Sequence, residues 1–155
     1  MKLFKPAAAW ALCLLLPYLA AYGLCCLVLL TDDFELVWLL IAVGLLTPVL
    51  YTFSGYFAPP VLRDTPPRRL VPILAVLTLL PAALIVWGES SGNALMWTLD
   101  LPHRMTYLAW FSPLLSNTTG AFFHNVIEPL CTGLTHVLTM AGFAFGMFLR
   151  KQRAL

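Results

Sequence analysis

The chain has 155 residues, of which 61% are hydrophobic and 10% charged, and its net charge is +2. This balance lies far outside the soluble range and excludes a water-soluble globular domain. The basic residues flank apolar stretches instead of forming a patch, so no nucleic-acid partner is expected.

The first apolar run covers residues 7–30, behind Met1-Lys2-Leu3-Phe4-Lys5. At about 24 residues it exceeds the roughly 7–15 of a signal-peptide core, so it reads as a retained first span. A very short turn, Thr31-Asp32-Asp33, leads to a second span over 34–57, and the pair forms an antiparallel hairpin. Residues 58–69 follow as a cytoplasmic loop whose four prolines favour an extended path. Its arginines, Arg63, Arg68 and Arg69, sit close to anionic headgroups.

A third span covers 70–88, and Gly88-Glu89-Ser90-Ser91-Gly92-Asn93 marks the exit to the other face. The segment 89–121 mixes aromatic rings (Trp97, Tyr107, Trp110, Phe111) with Asp100, His103 and Arg104. That mixture suits headgroup depth, so an outer interfacial lid is expected over 94–115, lying on the bilayer or dipping shallowly into it. The last span runs over 122–149.

Lys2, Lys5, Arg63, Arg68, Arg69, Arg150, Lys151 and Arg153 all fall on one side of these spans, and only Arg104 falls on the other. Short basic loops stay cytoplasmic, which predicts both termini inside. A fifth span from Met105 to Phe123 would put the C-terminal basic cluster outside, so four spans are preferred. The expected fold is an all-α integral membrane protein, a four-transmembrane-helix bundle with N-in/C-in topology. It forms a single domain over 1–155, with an extracytoplasmic interfacial segment before the last helix. Compactness suggests a bacterial cytoplasmic membrane.

Cys13, Cys25, Cys26 and Cys131 lie in apolar segments without a C-x-x-C pair, which argues against thiol exchange or a zinc knuckle. Pro17, Pro48 and Pro81 each remove a backbone donor near mid-span, and Thr47 and Thr78 are close enough to help satisfy the freed carbonyls.

The fourth span holds the sharpest constellation. At about 100° per residue, His124, Glu128, Cys131, Thr135, Thr139, Gly142 and Gly146 share one stripe. Gly142-x-x-x-Gly146 permits close helix approach, with Thr135 and Thr139 continuing the packing seam. His124 and Glu128 stand four residues apart, and with His103 and Arg104 of the outer segment they form the candidate polar site. Two ligands do not make a metal site. His136 lies about 12 Å along the helix from Glu128, too far to share an ion with it. No metal, cofactor or catalytic residue is assigned. Size and span number are similar to those of small multidrug transporters, but those rely on a carboxylate deep in the first span, and none is present here.

Three functions follow as expectations. The leading one is a non-catalytic accessory, assembly or immunity-type subunit that binds another membrane protein or a second copy of itself, motivated by the glycine seam and the nearly uncharged interior. The second is a small oligomeric transporter or pore using Glu128 and His124 near its outer mouth. The third is a membrane enzyme acting on a lipid-like substrate through His103, Arg104, His124 and Glu128.

Overall fold

The structure is a computed structural model that describes residues 4–30, 37–92, 94–110 and 127–152. Among the described residues it is all helical: α1 (Phe4–Leu30), α2 (Val37–Tyr56), α3 (Pro60–Arg63), α4 (Pro67–Ser90), α5 (Ala94–Leu99), α6 (Leu101–Trp110) and α7 (Glu128–Gln152). Four of these are long and apolar enough to cross a membrane: Ala8–Leu30, Trp38–Tyr56, Arg68–Gly88 and Pro129–Gln152. Helix α6 has 10 residues, and the rest of the weighed fifth span, to Phe123, lies outside the described residues.

The polarity of the bundle matches an apolar surround. Leu12, Leu16, Leu27, Phe53, Leu79 and Phe148 point outward, while Thr47, Thr78, Thr132, Thr135 and Thr139 are buried. A soluble bundle would reverse this, because exposed apolar surface carries a hydrophobic penalty only in water. Buried hydroxyls stay satisfied locally: Thr135 donates to the Thr132 carbonyl at 2.6 Å and Thr139 to that of His136 at 3.0 Å. Pro48 and Pro81 lie within α2 and α4. Thr47 donates to Val43 O and Thr78 to Leu74 O. Val43 O lies one residue before the carbonyl that Pro48 frees and Leu74 O three residues before the one that Pro81 frees, so the threonines brace the neighbouring turn without capping either freed carbonyl.

Helices α2 and α7 pack most closely. A Cβ at Gly146 would overlap the Thr52 carbonyl, and Gly142 faces the Pro48 carbonyl and the Thr52 hydroxyl. The small-residue seam is therefore an internal contact between α7 and α2, available because glycine lets two backbones approach. Around its lower end Tyr51, Leu62, Phe143 and Met147 form one core cluster, packed by Trp10 of α1 and Leu70 of α4. Arg150 lies over the Tyr56 ring at 5.2 Å. The short α3, the start of α4 and the end of α7 thus share one end of the bundle.

The segment expected to lie across the opposite end behaves differently. Gly92, at φ 71°, lets the chain reverse after α4, and α5 and α6 then form a helical pair folded into the bundle. In α6, Leu101, Pro102, His103, Met105, Thr106 and Tyr107 are buried. Leu101 and Met105 complete a second core cluster with Ala21 and Cys25 of α1 and Leu40 and Val43 of α2. Gly44 permits this insertion, since a Cβ there would overlap the Met105 carbonyl. Within the segment expected as an outer interfacial lid, α6 thus packs against three helices, α1, α2 and α7, and buries its apolar face among them.

Candidate functional site

Asp100 occupies the turn between α5 and α6 and opens α6 as its N-cap, accepting the backbone N–H of His103 at 2.9 Å and of Arg104 at 3.0 Å through its carbonyl. The Tyr18 hydroxyl of α1 donates to the Leu99 carbonyl and tethers this turn. Tyr18 stands twelve residues before the end of α1, about 18 Å along its axis. His136, level with the same turn, stands eight residues into α7, about 12 Å along its axis. The tip of the α5–α6 pair therefore sits deep within the bundle.

Three polar side chains meet there. Asp100 is 0% exposed, His103 5% and His136 6%. His103 Nδ1 lies 3.3 Å and His136 Nε2 3.2 Å from the same atom, Asp100 Oδ1. The two imidazoles stack, with centroids 3.7 Å apart and planes 20° apart. Tyr18 stacks on His103 from the other side at 6.3 Å, and Tyr22 on Tyr18 at 5.9 Å, which makes a column of rings from α1 through α6 to α7.

Asp100 and His103 lie outside the four long helices. Burial alone would push the Asp100 carboxyl up, but the two imidazoles beside it outweigh burial and hold it below its usual range. Burial, reinforced by the neighbouring His136, pushes His103 down despite the carboxylate. At neutral pH the cluster therefore holds an ionised carboxylate and a neutral His103. Such a set can accept a proton from a bound group, or hold a cation through one oxygen and two ring nitrogens.

A cavity of about 490 Å³ adjoins the cluster, between α1 and α4. Its walls are apolar, including Leu14 and Leu15 of α1 and Leu77 and Leu84 of α4. Tyr18, Tyr51, His103 and His136 are also among its lining residues.

Of the described residues expected in the polar site, His103 is in this cluster. Arg104 follows it on α6 and is half-buried, without contributing to the three grouped donors. His124 lies outside the described residues, as does the side chain of Glu128, the first residue of α7. Thr135 and Thr139 are buried in α7, on the face shared with His136. In the sequence Asp100 reads as one charge of the interfacial segment, and His136 stands too far from Glu128 on its own helix to share an ion with it. The available signal was the Asp100-x-x-His103 spacing, one helical turn, together with a lone histidine among apolar residues of a span.

Comparison with known proteins finds no matching family model, curated protein or solved structure.

Proposed function

We propose that this chain is a multi-pass membrane protein that admits an amphipathic, lipid-like molecule sideways into the cleft between α1 and α4. Its polar group would meet the Asp100–His103–His136 cluster. The observation that carries this reading is the cavity itself: an almost wholly apolar hollow whose lining includes Tyr18, Tyr51, His103 and His136. Binding sites for small molecules have this form, a largely apolar hollow with a few convergent polar groups. Ionisable side chains deep in a membrane bundle are costly and are kept where they act on something. An ionised Asp100 beside a neutral imidazole gives the protein two proton acceptors, so a general-base role toward the bound head group is within its means.

The basic residues support a cytoplasmic position for the end containing α3 and the C-terminus of α7, with the termini inside. A bacterial cytoplasmic membrane fits a compact chain of this kind. The glycine seam does not itself support an accessory subunit, because α2 of the same chain packs against Gly142 and Gly146.

The test is photolabelling in lipid nanodiscs with a polyisoprenoid alcohol carrying a diazirine. Label should concentrate on cavity residues such as Leu14 and Leu77 and fall when Leu77→Trp fills the cleft. Uniform labelling of outward residues such as Leu12 and Phe53, unaffected by Leu77→Trp, would defeat the reading.

A further inference from the structure

Asp100, His103 and His136 offer one oxygen and two nitrogens from two separate elements, all within 4.8 Å of one another. Two of the donor separations, 3.2 and 3.3 Å, match the roughly 3.3 Å edge of a tetrahedron whose ligands lie about 2.0–2.1 Å from a zinc-like ion. The cluster is also incompletely satisfied: Asp100 Oδ2 and His103 Nδ1 are buried without a hydrogen-bond partner. His103 Nδ1 approaches Asp100 Oδ1 closely but is poorly aligned for donation. Native interiors seldom leave such atoms unpaired, because each costs about 1–3 kcal/mol. Two of them converging in one carboxylate–imidazole cluster point to an absent positive partner.

We propose that Asp100, His103 and His136 bind a divalent first-row transition ion, with its open coordination position turned toward the cavity. Two imidazoles and one carboxylate suit zinc or ferrous iron and do not suit calcium or magnesium, which prefer all-oxygen shells. The rings now lie nearly parallel, so their lone pairs converge on one point only after at least one ring turns about its side-chain torsions. The carboxylate oxygen already sits between them. His103 and His136 both line the cavity, which leaves the fourth position on that side. A dipositive ion with one carboxylate leaves the centre at +1, favouring hydroxide or an anionic head group there. Because Asp100 and His103 belong to the α5–α6 pair and His136 to α7, the ion would also pin the inserted pair to the bundle.

This inference does not depend on lipid binding, and its test does not use a lipid. The full chain, purified in mild detergent, is stripped with a chelator and titrated with Co²⁺, then with Zn²⁺. We expect about one ion per chain, with the intense visible bands of low-coordinate cobalt that one equivalent of zinc abolishes. Asp100→Asn and His136→Ala should each weaken retention by about a hundredfold or more, judging from the tenfold to hundredfold loss caused even by outer-shell changes. The wild-type cobalt spectrum decides the matter if either variant fails to fold. Less than about a tenth of an ion per zinc-loaded chain would overturn the proposal. So would an unchanged cobalt spectrum in folded Asp100→Asn and His136→Ala.

Discussion

His136 Nε2 lies 3.2 Å from Asp100 Oδ1 across 36 residues of sequence, and this contact joins an inserted helical pair to the last long helix. Because both side chains are almost fully buried, the contact is shielded from water and its electrostatics act at low dielectric. His103 Nδ1 approaches the same oxygen to 3.3 Å, so removing one carboxylate disturbs two imidazoles.

Asp100→Asn keeps the shape of the side chain and removes its charge. It should destabilise the protein by about 1–3 kcal/mol, the cost of leaving buried polar groups poorly paired. Reversible unfolding in mixed micelles would measure this. A gain in stability would show that the carboxylate is held against an electrostatic penalty.

Acid should weaken the same cluster. Asp100 and His103 both have folded-state values below their ordinary ones, so the folded protein binds fewer protons than the unfolded chain. The contribution of His103 is fully present above its unfolded value near 6.5 and is lost as pH falls through its lower folded value. Asp100 follows at still lower pH, starting from its unfolded value of about 3.9. Stability measured from pH 7.5 downward should decline first near pH 6.5, and His103→Gln should remove that first step. A flat profile to pH 5 would contradict this.

Two glycines provide a matched contrast. A Cβ at Gly44 would overlap the backbone of α6, whereas at Gly133 the nearest atom stands 3.9 Å away. Gly44→Ala should therefore cost at least about 2 kcal/mol, as overpacking typically does. Gly133→Ala should be neutral or stabilising by up to about 1 kcal/mol, because alanine favours the helix. Thermal denaturation of the two variants in one detergent would compare them directly.

Tyr18→Phe deletes the hydroxyl that donates to the Leu99 carbonyl and leaves the ring in its stack. A loss of about 1 kcal/mol is expected, typical of one hydrogen bond. Hydrogen exchange should quicken in α5 and the first turn of α6 while α2 stays unchanged. Equal acceleration throughout would mean that Tyr18 supports the whole bundle and not the inserted pair.

Orientation can be read with single cysteines in a background lacking the four natural ones. Asp64→Cys, after α3, should react with a membrane-impermeant maleimide only once cells are opened. Ser91→Cys, after α4, should react from outside in intact cells. Labelling of both from one side would exclude the N-in/C-in arrangement.

Much of the architecture is local and could be read along the chain. Runs such as 7–30 are long enough to cross hydrocarbon and must be helical there, since each backbone group has to find its partner within its own segment. The small-residue face of the last helix is likewise a matter of period, and Gly142 and Gly146 line a contact face as their spacing suggests. The meeting of Asp100 and His103 with His136 has no such local cause. It depends on how deeply α5–α6 inserts and on which face α7 turns toward it. Packing at Gly44 against Met105, at Met105 against Val43, and at Tyr18 against Leu99 sets both quantities. Periodicity assigns a residue to a helix face and supplies no rotation or level relative to another helix. His136 was therefore measured against Glu128 on its own helix, while its partner stood on an element that composition alone places at the membrane surface.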